Sequence, residues 1–127
     1  SMFLMRIQNN INIRKRAFKL TLKVIKFVDS LPKCSSTFVI GKQLIASSSS
    51  IGANTVEAKS SSSKKEFINF YNYSLKSANE SIYWLYLLKE LYPLRKEEMA
   101  PLINETNELS NMLASSILTM KKSLRKK

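Results

Sequence analysis

Glycine and proline are nearly absent from this chain, with 2 of the first and 3 of the second in 127 residues. Pro32, Pro93 and Pro101 fall between long periodic segments rather than within them. These two residue types punctuate local structure, so their scarcity leaves too few turns for an all-β fold and predicts an all-α one. The hydrophobic periodicity resolves into four helices, about residues 12–30, 36–59, 62–91 and 97–124, in one domain long enough to hold a core.

In the first helix, Lys15, Lys19, Lys23 and Lys26 share a face, with Arg16 at its edge. The apolar arc is wide. Phe18, Leu22 and Ile25 make one stripe and Leu20, Val24, Phe27 and Leu31 another, and with Ala17, Thr21 and Val28 they cover roughly 220° at 3.6 residues per turn. A surface helix needs only about 100°. The surplus predicts a second buried face, a contact between subunits.

The second helix, with Ser35 or Ser36 as its expected N-cap, carries Phe38, Val39, Ile40, Leu44 and Ile45 and then turns small. Ser47 to Ala53 reads Ser-Ser-Ser-Ser-Ile-Gly-Ala. Serine and glycine are mediocre helix formers, so the stretch is either a flexible linker or a face against which another helix packs at short range. Ile51, Val56 and Ala58 continue the apolar pattern and favour the packing face.

Ser63, with Glu66 three residues later, makes a capping-box pattern at the start of the third helix. The core stripe of that helix is Phe67, Tyr71, Ser74, Ala78, Ile82 and Leu85. Its aromatics, Phe67, Phe70, Tyr71, Tyr73, Tyr83, Trp84 and Tyr86, could stack on bases, but their helical spacing favours core or interface packing. In the fourth helix Pro101 is expected within the first turn, and the stripe is Leu102, Thr106, Leu109, Leu113, Ile117, Met120 and Leu124. Glu97, Glu98, Glu105 and Glu108 read as solvated. The helix runs out into a basic tail, 121–127.

Lys and Arg number 21 against 9 Asp and Glu, a formal charge of +12, which points to a polyanionic partner, nucleic acid first among them. The candidate phosphate contacts are Lys15, Arg16, Lys19, Lys23 and Lys26, with Lys121, Lys122, Arg125 and Lys126; the tail also complements the negative end of a helix dipole. There is no histidine and one cysteine, Cys34, which removes the usual general base, Ser-His arrangements, zinc fingers and internal disulfides. No glycine-rich phosphate loop occurs. A non-enzymatic protein without metal or cofactor is expected, and Cys34, near Pro32 in a loop, is expected to be structural rather than reactive. With neither a span of about 20 apolar residues nor a secretory layout, a cytoplasmic protein that contacts no membrane is expected. Ser1 before Met2 reads as a cloning remnant.

Gln43-Leu44, Ser50-Ile51-Gly52-Ala53-Asn54 with Glu57-Ala58, Ser63-Lys64-Lys65-Glu66-Phe67, Leu75-Lys76, Ala78, Glu80, and Tyr83-Trp84-Leu85 with Leu88 follow in a characteristic order. From Ile13 to Met120 the chain thereby resembles the bacterial 23S rRNA intervening-sequence protein family. The resemblance implies an antiparallel up-and-down four-helix bundle assembling as a ring-shaped homopentamer. It further implies a relation in fold to the accessory protein of diversity-generating retroelements, which binds its reverse transcriptase and nucleic acid through a basic surface. It marks Ser50, Gly52, Asn54, Glu57, Lys76, Glu80, Tyr83 and Trp84 as interface or polar-network positions, with Asn54, Glu57, Lys76 and Glu80 expected to link helices two and three. Where the family has arginine, serine, glycine and threonine before the Ser-Ile-Gly-Ala-Asn run, this chain has Ala46, Ser47, Ser48 and Ser49. That arginine is lost. The expected function is binding, without sequence specificity, of RNA or DNA or of a nucleoprotein such as a reverse transcriptase; the alternative is a protein–protein scaffold whose charge serves solubility.

Overall fold

In the computed structural model, which describes residues 2–125, four helices follow one another: α1 (Met2–Asp29), α2 (Ser35–Lys59), α3 (Lys64–Leu91) and α4 (Lys96–Arg125). No strand occurs among the described residues, and none of their helices is long and apolar enough to cross a membrane. Each helix packs on its neighbours in the chain and α1 closes against α4, so α1 stands diagonal to α3. Helices joined by short turns are antiparallel. α1 and α3 therefore run the same way, and Asn10 reaches across the core, its Nδ2 donating to the Tyr71 hydroxyl at 2.6 Å.

α1 begins at Met2 rather than near Asn12, because no glycine or proline interrupts the segment and its inward stripe extends back to Asn10. That stripe, Asn10, Ile13, Ala17, Leu20, Val24, Phe27 and Leu31, is spaced three and four residues apart and is buried throughout. The other expected stripe stays outside: Phe18 is 66% and Leu22 45% exposed.

The small residues of α2 set how closely it meets its neighbours. A methyl group built on Gly41 would lie 2.6 Å from Val28 Cγ1, and one on Gly52 would lie 3.4 Å from Ala17 Cβ. Toward α1, Thr21 Oγ1 donates to the Ser48 carbonyl at 3.1 Å. Toward α3, the Ser47 and Ser81 hydroxyls lie 2.8 Å apart and Ser74 Oγ donates to the Ile51 carbonyl at 2.8 Å. The Ser47 to Ala53 stretch is thus a helical packing face and not a linker. Phe38 and Val39, expected among the apolar residues of α2, point outward instead.

The helix ends depart from expectation in three places. Extended Cys34 holds the N-cap of α2, and Ser35 and Ser36 are already helical. α3 starts at Lys64, with Ser63 Oγ accepting from the Glu66 N–H at 3.1 Å. Glu66 answers by accepting from the Ser62 hydroxyl at 2.8 Å rather than from the Ser63 N–H of a full capping box. Before α4, the 3-10 turn Pro93–Arg95 runs straight into Lys96 and leaves Pro101 in the second turn, not the first. Glu97 and Pro101 are both exposed, so solvent can take the carbonyl that the ring leaves without a donor. The α4 stripe is buried as expected except at Leu124.

The two glycines of α2 make opposite predictions. Gly41→Ala is expected to lose about 1 kcal/mol net, because crowding the stiff Val28 side chain outweighs the gain in helix propensity. Gly52→Ala, whose methyl meets Ala17 only at van der Waals distance, is expected to gain up to about 1 kcal/mol. Urea unfolding followed by circular dichroism reads the sign of each.

Candidate nucleic-acid interface

Up-and-down topology gathers four helix termini at each end of the bundle. At one end these are the starts of α1 and α3 and the finishes of α2 and α4, which bring together Arg6, Lys59, Lys64, Lys65, Lys121, Lys122 and Arg125. Lys64 Nζ donates to Ser123 Oγ at 2.6 Å and ties α3 to α4 there. Lys59, Lys65, Lys121, Lys122 and Arg125 are exposed. None of them meets a carboxylate within salt-bridge distance among the described residues. A recess of about 200 Å³ opens at this end between Arg6, Asn9, Tyr71, Ser116 and Thr119. Of the expected tail contacts, Lys126 lies outside the described residues. Arg6, Lys59, Lys64 and Lys65 escaped the sequence reading because only topology brings them beside the tail; their places next to helix ends were the available signal.

On α1, Lys15, Lys19, Lys23 and Lys26 are all exposed along one side. Arg16 does not belong with them. Its Nη2 lies 2.6 Å from Glu105 Oε1 and its Nε donates to Glu105 Oε2 at 2.9 Å, while Nη2 also reaches Glu108. This fork grips α4 in bidentate fashion, so Arg16 is not a free phosphate contact and Glu105 and Glu108 are not merely solvated. Hydrogen bonding to Glu105 raises the Arg16 guanidinium above its ordinary value, and the same bond holds the Glu105 carboxyl below the usual carboxylate range.

The expected polar network between α2 and α3 does not form within the chain. Asn54 Nδ2 donates to the Ser50 carbonyl at 2.9 Å and Trp84 Nε1 to Glu80 Oε2 at 2.9 Å, each within its own helix. Glu57, Lys76 and Glu80 are exposed, because the sides of α2 and α3 that meet are instead the serine sides. Ser50 and Gly52 are half-buried, the latter beside Ala17. Tyr83 is 61% exposed and stands edge-on to Trp84. Of the aromatics on α3, only Tyr71 is fully in the core; Tyr73, Tyr83 and Tyr86 face outward.

The opposite end is tied by Arg95, which donates to the Ser30 carbonyl at 3.1 Å, grips Glu98 and stacks over the Phe27 ring at 5.0 Å. Cys34 is exposed at this end with its Sγ 3.2 Å from Thr37 Oγ1. Hydrogen bonds from the Thr37 side chain and backbone, then from Ser36 and Tyr92, draw the thiol down to about 6. The expected inert thiol is therefore an ionisable one.

Two comparisons bear on this arrangement. The model of the 23S rRNA-intervening sequence protein family matches residues 9–115. Among solved structures, the chain is similar to a protein of unknown function from the S23 ribosomal protein family of Bacteroides thetaiotaomicron. The two are 31% identical with a TM-score of 0.79, over 86% of this chain and 97% of that one. No curated protein matches.

The Arg16 fork makes a pH-dependent prediction. A depressed carboxyl contributes stability that is complete above the ordinary glutamate value of about 4.3 and is lost as pH falls through its lower folded value. Arg16→Gln is expected to lower stability by about 1 kcal/mol at neutral pH and to match the wild type in acid below that range. Urea midpoints measured at neutral and acidic pH check the convergence.

Proposed function

As the chain belongs to the 23S rRNA-intervening sequence protein family, we propose that it is a non-enzymatic oligomer that binds RNA through its basic surfaces without reading sequence. The observation that carries this reading is the collection of exposed, unpaired Lys59, Lys65, Lys121, Lys122 and Arg125 at one end of the bundle. Three of the few acids are engaged elsewhere, Glu105 and Glu108 by Arg16 and Glu98 by Arg95. The α1 lysines add a second strip of positive potential along the side of the bundle. Cations spaced along a surface with no base-reading motif bind the phosphate backbone, and their affinity comes largely from counterion release. DNA presents the same phosphate backbone and competes for the same surface, and a nucleoprotein is a ligand through its exposed nucleic acid.

A second reading, a protein–protein scaffold, draws on the exposed tyrosines of α3 and the outward apolar stripe of α1. It predicts partner binding indifferent to the charge at the bundle end.

Fluorescence anisotropy with single-stranded RNA at several salt concentrations separates the two. The wild type is expected to bind at low salt and weaken steeply as salt rises. Lys65→Ala, Lys121→Ala and Lys122→Ala together are expected to reduce the slope of log affinity against log salt by about 0.7 for each phosphate contact removed, with helix content unchanged. Absence of binding at low salt, or retention indifferent to salt, overturns the proposal.

A further inference from the structure

Where the cations gather, α1 and α4 leave a gap. The recess of about 200 Å³ between them reaches inward to Phe67 and Tyr71 of α3, the helix diagonal to α1. Those two rings lean on each other with centroids 4.5 Å apart, and Asn10 holds the Tyr71 hydroxyl at 2.6 Å, so the back wall is aromatic and fixed in place. Tyr71 is buried, whereas Phe67 is half-buried.

The side walls are polar. Arg6 and Asn9 come from α1 and Ser115, Ser116 and Thr119 from α4, and no carboxylate lines the recess. None of these five side chains has a hydrogen-bond partner among the described residues. By contrast, Ser47, Ser48, Ser49 and Ser81 each donate to a carbonyl of their own helix. The recess is thus lined by donors and acceptors that the bundle itself does not use.

Its size narrows what can enter. A volume of about 200 Å³ is below the roughly 300 Å³ at which small-molecule pockets begin, which excludes a large cofactor and leaves room for one ring system. The cations stand one step farther out. Ser115, Thr119 and Lys122 follow at spacings of four and three on one face of α4, so Lys122 lies about 4.5 Å of helix rise beyond Thr119. On α3, Lys65 lies two residues before Phe67. Cations outside and an aromatic wall inside are the pairing by which proteins hold single strands, the charges tracking the phosphates while the bases stack on rings. In a duplex the bases are already paired and stacked, and none is offered to such a wall.

We infer that the recess receives one unpaired base of a single-stranded RNA, with its ring against Phe67, its polar edge on Asn9, Ser116 and Thr119, and the flanking phosphates on Arg6, Lys65 and Lys122. The inference rests on the nucleic-acid reading above and narrows its ligand to a strand with an unpaired nucleotide. Every base has a face to stack, so this site agrees with binding that does not read sequence.

Two variants test it. Phe67→Leu removes the ring, and Ser116→Leu, at a half-buried position, fills the recess from the α4 side. Circular dichroism checks that each is folded, and Ser116→Leu carries the test if Phe67→Leu is not. In fluorescence anisotropy each is expected to weaken single-stranded RNA about tenfold, as the loss of one stacked base should. The affinity for a blunt RNA duplex and the slope of log affinity against log salt are expected to stay at their wild-type values, because no phosphate contact is removed. Unchanged single-strand affinity, equal weakening for the duplex, or an altered salt slope overturns the inference and leaves RNA binding by the charged end intact. A wild type that binds neither RNA at low salt overturns the RNA reading together with it.

Discussion

The bundle depends on how little side chain α2 places between itself and its neighbours. Gly41 leaves room for Val28, Gly52 for Ala17, and the Ser47 and Ser81 hydroxyls meet where larger groups would hold α2 and α3 apart. Close packing of this kind sacrifices helix propensity, and it works only because packing contacts and satisfied hydroxyls replace what is lost. No buried side-chain nitrogen or oxygen among the described residues lacks a hydrogen-bond partner. The near approach of α1 to α2 also decides which of the two apolar stripes of α1 turns inward. It leaves Arg16 on the side that faces α4, where Glu105 and Glu108 wait.

Much of this was legible in the sequence. The α4 stripe from Leu102 to Met120 and the Ser63 cap of α3 depend on neighbours three or four residues away, and such local spacing is visible in a single chain. The inward choice of α1 was not, since both of its stripes are apolar at helical spacing and only their neighbours distinguish them. Arg16 looks like one more cation on a lysine face until its partner, 89 residues away in the chain, comes into view. The same limit hid Arg6, Lys59 and Lys65, which join the tail only once four helix ends are placed side by side. Asn54, Glu57, Lys76 and Glu80 matched the family pattern, yet a pattern of residue types carries no information on whether the surface it marks is covered by the same chain.

The two ends of the molecule differ in character. One collects cations that no carboxylate among the described residues pairs with, while the other is braced by Arg95, whose contacts with Ser30, Glu98 and Phe27 knit the first and last turns together. The sides differ as well, with a basic and aliphatic seam on α1 and an aromatic, acid-bearing face on α3.

Cys34 has a practical consequence. It is the one sulfhydryl in the chain, it stands exposed at the braced end, and with its thiol drawn down to about 6 it is largely ionised at neutral pH. Met2 and Arg125, by contrast, lie at the cationic end of the bundle. A maleimide fluorophore on Cys34 attaches at a single defined point roughly a helix length away, and reports on events at the charged end without covering it.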